Sequence, residues 1–402
     1  MKRAGTMPTA PDILWIVTTQ WRAGALGHAG DVNARTPGLD AFAAGATDYA
    51  QAVTPHPFGP FARAALLTGR LSPENGVRDY WDALPADART VAHRLSERGY
   101  ATAFFGKWGV GERDRSAPLV GEAAARVVVP PGRRGGFGWW TGFEGGFLLN
   151  DPWLHGDGVG DGVEPTRVAG YQSDVVTDLA AAWWGGTARG RAAPPRFALV
   201  SLEAPHPPYA APTPAGVVRP DPIELVLAAN VPRGGEVEAR ARRELVGYYA
   251  HIEATDGAIA RLMAAAGHET IVVFTSVHGD MHGAHGLFRK GWPHDECVRV
   301  PFLVRGAPGG GRGERSDAAV SLCDLPAMTE AWSEGRAWDG APACAEISMP
   351  CVVDLPDQCD RVWRGWRSAR GKKIWTDDGH EWSLGETGPI AGDGAVKPAP
   401  HG

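Results

Sequence analysis

Five side chains in this sequence combine anion-handling chemistry with a local setting that would aim it. Arg63 lies in Pro57-Phe58-Gly59-Pro60-Phe61-Ala62-Arg63-Ala64-Ala65-Leu66-Leu67-Thr68-Gly69-Arg70. There a Pro/Gly-rich segment turns into an Ala/Leu-rich run with good helix propensity. The run predicts a helix that begins near Arg63 and stops at Gly69. A loop delivered onto a helix N-terminus offers free backbone N–H groups and the positive end of the dipole, and an arginine adds a two-pronged donor. Lys107 lies in Gly106-Lys107-Trp108-Gly109-Val110-Gly111, directly after the apolar run Thr102-Ala103-Phe104-Phe105. His206 stands in Pro205-His206-Pro207-Pro208-Tyr209, where prolines fix its loop; a lone histidine is as a rule structural, but one just past a strand end is a better candidate for chemistry. His278 and Lys290 follow the run Ile271-Val272-Val273-Phe274-Thr275-Ser276.

These positions need a scaffold. Ile13–Val17, Phe197–Leu202 and Ile271–Ser276 are continuous apolar runs of strand length, the pattern of strands buried on both faces of a parallel sheet. Ligands in open α/β sheets bind beyond the carboxyl ends of the strands, so residues 18–21, Thr19 among them, are expected to face the site. Helical patterns cover 90–98, start near 171–178 and run longest over Glu236–Ala266; a further helix is expected over 318–330. The stretch 117–147, rich in Gly and Pro, reads as an irregular excursion on the side of the site. Two alternating segments, 361–367 and 372–376, predict strands of a small antiparallel sheet. The fold class is therefore α/β: a large, mostly parallel sheet between helices, plus a small C-terminal antiparallel-sheet subdomain. The boundaries are 1–315 for the large domain, 316–384 for the small one and 385–402 for a polar tail expected to be disordered.

Composition narrows the function. A 402-residue chain can bury a sizeable core, and its 44% hydrophobic and 21% charged residues are ordinary for a soluble protein. Net charge −6 argues against a nucleic-acid partner. No stretch reaches the roughly 18 apolar residues of a membrane span, and residues 1–11 carry no apolar run of signal-peptide length, so a cytoplasmic location is expected. The five cysteines all lie between Cys297 and Cys359 without a CxxC, which favours reduced thiols over a disulfide frame or zinc site. Most of the sixteen tryptophans are expected in the core.

The segment around Arg63 resembles the signature of the sulfatase family, part of the alkaline phosphatase superfamily: Cys-or-Ser, x, Pro, x, Arg, then Ala-Ser/Ala-Leu-Leu-Thr-Gly-Arg. In that family the Cys or Ser is oxidised to formylglycine, the nucleophile. Arg63 and the Leu66-Leu67-Thr68-Gly69-Arg70 tail are in register, but the nucleophile position is Gly59 and the family's Pro is Phe61. No Ser precedes Ser72 and no Cys precedes Cys297, so formylglycine cannot form anywhere in this region. Other blocks are similar too. Pro11 to Arg22 resembles the family opening, with Thr19 at a metal-binding Asp; Thr36-Pro37-Gly38-Leu39-Asp40 resembles Thr-Pro-Asn-Leu-Asp. Gly106 to Gly111 resembles Gly-Lys-Trp-His-Leu-Gly, keeping Lys107 and placing Gly109 at the His. Pro205 to Tyr209 resembles Pro-His-x-Pro-Tyr. Val277-His278-Gly279-Asp280-Met281-His282-Gly283-Ala284-His285-Gly286-Leu287 resembles Asp-His-Gly-Asp-Met-Leu-Gly-Glu-His-Gly-Leu, with Val277 at a metal-binding Asp and Lys290 at a sulfate-binding lysine.

The resemblance implies the fold and, through the substitutions, an altered activity. A hard divalent cation needs several oxygen ligands, and Thr19, Val277 and Gly59 withdraw three. No metal and no cofactor are expected. What remains is Arg63, Lys107 and Lys290 for binding, with Thr19 and Gly59 lining the same place, and His206 and His278 as acid/base candidates. Stripped of carboxylates, this cluster reads as an unbalanced positive pocket for sulfate, sulfamate, phosphate or carboxylate on a small molecule. The leading expectation is an enzyme of altered mechanism: direct water attack, group transfer, elimination or cyclisation, in bacterial specialised metabolism. Two alternatives stay open. One is a catalytically inactive member that binds a ligand or pairs with an active homologue. The other is a metal-dependent ester hydrolase with substitute ligands, for which His278, Asp280, His282 and His285 could form a transition-metal set. A homo-oligomer is neither implied nor excluded.

Overall fold

A computed structural model describes residues 10–187 and 193–376 and the strand 381–385. Its centre is five parallel strands: β1 (Ile13–Thr18), β3 (Ala101–Lys107), β4 (Trp139–Phe143), β7 (Arg196–Ser201) and β8 (Ile271–Ser276). Five shorter strands extend them: β2 (Thr47–Tyr49), β5 (Trp153–Gly156), β6 (Thr166–Arg167), β9 (Phe302–Arg305) and β10 (Glu314–Ser316). The order across the sheet is β10-β2-β9-β8-β1-β7-β3-β4-β5-β6. The edges on both sides of the parallel centre include antiparallel pairs, β8 with β9 and β4 with β5.

The apolar runs form central strands because both faces of the sheet are covered. In β1, Ile13, Trp15 and Val17 enter one apolar layer while Leu14 and Ile16 enter the other. The first layer is closed by α2 (Gly59–Thr68), α3 (Val91–Glu97) and α8 (Leu325–Ser333), and the second by α1 (Pro37–Ala43), α5 (Gln172–Gly186) and α6 (Glu236–Ala266). Two single turns, α4 (Glu122–Ala125) and α7 (Asp295–Val298), complete the helices of the described residues. Trp15, Trp21, Trp108, Trp140, Trp184, Trp332 and Trp363 are fully buried, as expected of core tryptophans.

The second sheet is an antiparallel meander of β11 (Cys344–Met349), β12 (Trp363–Ser368), β13 (Gly371–Thr376) and β14 (Glu381–Gly385). It includes both strands expected from the alternating segments. Ile347, Met349, Trp363 and Ile374 join the apolar layer that holds α2 and α8, so the small sheet shares a core with the large one. The tail expected to be disordered lies, beyond Gly385, outside the described residues.

Three expectations are corrected. Helix α2 begins at Gly59, with Pro60 in its first turn and Phe58 as N-cap, so Arg63 stands one turn inside it; proline at the first helical positions loses no hydrogen bond, and the Gly-Pro pair opens the helix instead of preceding it. The 117–147 excursion contains β4, whose Trp140, Gly142 and Phe143 are buried against the sheet. The helix expected over 318–330 is a short 3-10 turn at Leu322–Asp324 followed by α8, because Pro326 fits only a first turn.

Two glycines of α6 separate packing from propensity. A Cβ on Gly247 would lie 1.8 Å from the Tyr209 carbonyl oxygen, whereas one on Gly257 would approach nothing closer than Arg261 Nη1 at 3.9 Å. Gly247→Ala is expected to destabilise the protein by about 1–3 kcal/mol through overpacking, and Gly257→Ala to stabilise it by up to about 1 kcal/mol through helix propensity. Chemical denaturation of the two variants checks both signs.

Candidate active site

All five parallel strands deliver functional side chains at their carboxyl ends. Strand β1 leads to Thr19 and Gln20, β3 ends on Lys107, β4 leads to Glu144 and Phe147, β7 to Glu203 and His206, and β8 to His278 and Asp280. Thr19, Lys107, Glu144, His206 and His278, with Gly59 and Arg63 of α2 and Lys290 from the loop after β8, form the floor of one cavity of about 660 Å3, which Phe147 also lines; Gln20, Glu203 and Asp280 stand behind it as partners of these side chains. Every site residue expected from the sequence lines it: Thr19, Gly59, Arg63, Lys107, His206, His278 and Lys290.

The floor is more balanced than its sequence implied. Lys107 Nζ donates to Glu203 Oε1 at 2.7 Å, and both side chains are buried. Arg113 Nη2 meets Glu144 Oε1 at 3.0 Å, and the Gly111 amide donates to the other carboxylate oxygen at 2.9 Å. Arg289 forms a two-pronged pair with Glu244 at 2.6 and 2.9 Å. The expectation of an unbalanced positive pocket is thus corrected: buried charges need partners, and Glu203, Glu144 and Glu244 supply them. Arg63 and Lys290 are left without a carboxylate inside ion-pair distance among the described residues. Lys290 Nζ donates to Gln20 Oε1 at 2.7 Å and to His206 Nε2 at 3.1 Å, and Gln20 in turn donates to Asp280. Gln20 holds this bridge with φ +67°, a left-handed conformation that marks a locally strained backbone.

Both histidines are set in one tautomer by the carbonyl beside them. His206 Nδ1 faces the Pro207 carbonyl at 2.8 Å, and His278 Nδ1 faces the Gly279 carbonyl at 2.8 Å. A carbonyl only accepts, so each Nδ1 carries the proton and each Nε2 presents a lone pair. His206 spends its lone pair on Lys290, whereas His278 Nε2 is buried and has no protein partner. Burial, reinforced by Lys290, drives the pKa of both histidines well below the usual imidazole range, so both are neutral. Burial also lowers Lys290 to about 7 against the pull of Asp280, and Lys107 to about 8 against the pull of Glu203. Arg63, lowered by burial to about 10, stays charged at neutral pH.

The position of Arg63 links Thr19, Gly59 and Gly109. Its Nη2 donates to Thr19 Oγ1 at 2.7 Å, and Thr19 Oγ1 donates onward to the Leu202 carbonyl at 2.9 Å. A Cβ on Gly59 would stand 3.0 Å from Arg63 Nη1, and one on Gly109 3.1 Å from Arg63 Cδ and 3.2 Å from Nε. The guanidinium therefore occupies space that side chains at 59 and 109 would contest. Nε of Arg63 is buried and unpartnered.

This donor set does not fit a divalent cation. Thr19 is spent on Arg63 and Leu202, Val277 is apolar and fully buried, and Asp280 accepts from Gln20, from the Tyr209 hydroxyl at 2.8 Å and from the His282 amide at 3.1 Å. Burial opposes the ionisation of Asp280, but His282, Arg289 and these hydrogen bonds hold its pKa well below the usual carboxylate range. The four-residue set 278–285 does not converge either: His285 turns away to Asn230 at 3.0 Å and stacks on His294. Among the described residues no three His, Cys, Asp or Glu side chains are grouped to hold a metal ion. Sequence reasoning placed Gln20 within the stretch 18–21 expected to face the site and missed Glu144 and Glu203. Glu203 had a signal, since it directly follows the expected strand Phe197–Leu202; Glu144 had none, because β4, which it follows, was not expected.

An α/β sheet with an anion-competent floor at its carboxyl edge defines the class. The sequence profile of the sulfatase family matches residues 11–329, and the chain belongs to that family. An ulvan-active sulfatase of Formosa agariphila is 37% identical over 308 residues, 74% of this chain and 56% of that protein, so the chain spans just over half of that relative's length. A structure from Bacteroides thetaiotaomicron, reported for glycosaminoglycan metabolism, superposes with a TM-score of 0.75 at 20% identity, covering 92% of this chain and 87% of that one. The phosphonate monoester hydrolase of Agrobacterium radiobacter does so with a TM-score of 0.68 at 19% identity, covering 93% and 89%. At those identities the structures share the fold. No helix among the described residues is long and apolar enough to cross a membrane.

The lysine shifts predict a pH dependence. Deprotonation removes a cation, so anion affinity must fall as pH rises, first with Lys290 near 7 and then with Lys107 near 8. Sulfate binding measured by calorimetry is expected to weaken about tenfold or more between about pH 6 and about pH 9, and Lys290→Gln is expected to remove the part of the decline nearest neutrality.

Proposed function

We propose that this sulfatase-family protein is an enzyme of altered mechanism. It would bind a small molecule through a sulfate, sulfamate, phosphate or carboxylate group and act on it with neither formylglycine nor a divalent metal. The observation that carries this reading is a pair of unpartnered groups on one buried floor: Arg63 Nε, a charged donor, and His278 Nε2, a lone pair. A donor without an acceptor is costly when buried, and an anion relieves it. A lone pair beside that anion suits removal of a proton from water or from a hydroxyl of the substrate. Lys290, which lines the same cavity, completes the anion site, with its ammonium positioned by Gln20 and His206.

The geometry supports the following roles. Arg63 and Lys290 bind the anion; Lys107, neutralised by Glu203, adds directional donors more than net charge. His278 is the general base. His206 is a positioning residue, because its free nitrogen is spent on Lys290. With Gly59 at the nucleophile position, no protein nucleophile is available there, which leaves attack by water, transfer to a second substrate, elimination or cyclisation.

Crystals soaked in sodium sulfate, together with elemental analysis of the purified protein, test this reading. The expected result is sulfate against Arg63 Nε and Lys290 Nζ with no stoichiometric metal. Arg63→Ala should weaken sulfate binding about ten- to a hundredfold, while His278→Ala should leave it within about threefold, since a lone pair offers an anion nothing. Stoichiometric metal on His278, or sulfate binding indifferent to Arg63, would overturn the proposal.

A further inference from the structure

The cavity is far larger than the floor. At about 660 Å3 it lies in the range of sites for whole organic ligands, about 300–1,000 Å3. Its lining is not only charged. Leu119, Val120 and Val127 come from the 117–127 strap, Phe147 from the loop after β4, and Phe58 and Tyr80 add aromatic rings. Glu112, Asp114 and Gln358 are among the polar side chains there.

Two observations show that this apolar part is built and not merely open. First, the strap is pinned. Val120 bridges to Gly146, the Gly121 amide donates to the Gly146 carbonyl at 2.9 Å, and a Cβ on Gly146 would stand 2.6 Å from that of Ala125. Only a glycine at 146, with φ +97°, lets the strap come so close. Yet this pinned strap turns valines outward: Val120 is 63% exposed and Val127 41%. Exposed apolar side chains that line a cavity are surface waiting to be covered. Second, Phe147 takes φ +54°, rare for an aromatic residue. That turn lays its ring flat on His206, 4.5 Å between centroids and 10° between planes, with Lys107 Nζ 4.5 Å from the ring centre. The half-buried ring thus roofs part of the charged floor and borders the apolar walls.

We infer that the substrate is an amphipathic anion, with its charged group on the Arg63–Lys290 floor and an aromatic or aliphatic body between Phe147 and the Leu119–Val120–Val127 strap. This rests on the anion reading above and adds the chemical class of the rest of the molecule. Sugar hydroxyls laid against Phe147 and the Leu119–Val120–Val127 strap would lose hydrogen bonds to water that those side chains cannot replace.

Calorimetry with inorganic sulfate, methanesulfonate, glucose 6-sulfate, naphthalene-1-sulfonate and neutral naphthalene tests this on the intact protein. The expected result is that naphthalene-1-sulfonate binds about tenfold or more tighter than methanesulfonate and glucose 6-sulfate. The double variant Val120→Asn/Val127→Asn, on exposed positions and without added charge, should erase that margin between naphthalene-1-sulfonate and methanesulfonate. If naphthalene-1-sulfonate shows no margin, if glucose 6-sulfate matches it, or if the double variant retains the margin, the amphipathic class is overturned while the anion site stands. If neither sulfate nor any sulfonate binds, or if naphthalene binds as well as its sulfonate, the anion reading falls and this inference falls with it.

Discussion

Everything at the carboxyl edge of the large sheet depends on keeping cations out of water. Lys107, Arg63 and Lys290 are each less than a tenth exposed. An ammonium taken from water into the protein interior costs several kcal/mol unless its surroundings replace the lost hydration. Glu203 does this for Lys107 by direct pairing, and Gln20 does it for Lys290 by passing the field of Asp280 through an amide. The strained backbone of Gln20 belongs to this requirement: the amide must face Lys290 and Asp280 at once. Five strands in parallel make the arrangement feasible, because they end side by side and bring the compensating groups from distant parts of the chain to one edge.

The same constraint gives the small residues around Arg63 a common logic. A guanidinium that reaches Thr19 passes between positions 59 and 109, and both are glycine. Each glycine is unremarkable alone. Together they form a passage for one side chain, lined so that its Nη2 finds a hydroxyl and its Nε finds nothing. Arg63 thus occupies a slot whose glycine walls at 59 and 109 leave room for its side chain and whose end is the Thr19 hydroxyl.

Much of the fold was legible because burial writes itself into the sequence. Strands β1, β7 and β8 are sandwiched between two helical layers, and so they are largely apolar runs; α6 carries Leu245, Tyr248, Tyr249, Ile252, Ile259 and Leu262 at helical spacing, and the range expected for it matches the helix observed. What escaped notice did so for physical reasons. Strand β4 is embedded in glycines needed for close approach to its neighbours, and glycine reads as loop. The start of α2 is a Gly-Pro pair that serves a first helical turn as well as it serves a bend. At the site, the family motifs exposed Arg63, Lys107, His206, His278 and Lys290, but the compensating Glu203 and Glu144 stand outside any chemical motif. A carboxylate that neutralises a neighbour has no spacing rule; it is recognisable only once the sheet has placed strand ends beside one another.

The apolar strap and the charged floor belong to one electrostatic design. Charge–charge and hydrogen-bond interactions strengthen as water is withdrawn, and an apolar wall above a cationic floor withdraws it. Phe147 is where the two meet, its ring over His206 and beside Lys107. A hydrated mouth would let solvent screen Arg63 and restore Lys290 toward the behaviour of a free lysine. A dry one keeps Lys290 near neutrality and the unpartnered nitrogen of His278 out of bulk water. The apolar body of a ligand would extend this effect by displacing the remaining water from the mouth, so that hydrophobic contact at the rim raises the strength of anion binding on the floor. Substrate shape and site chemistry are then coupled through the dielectric, with no moving part required.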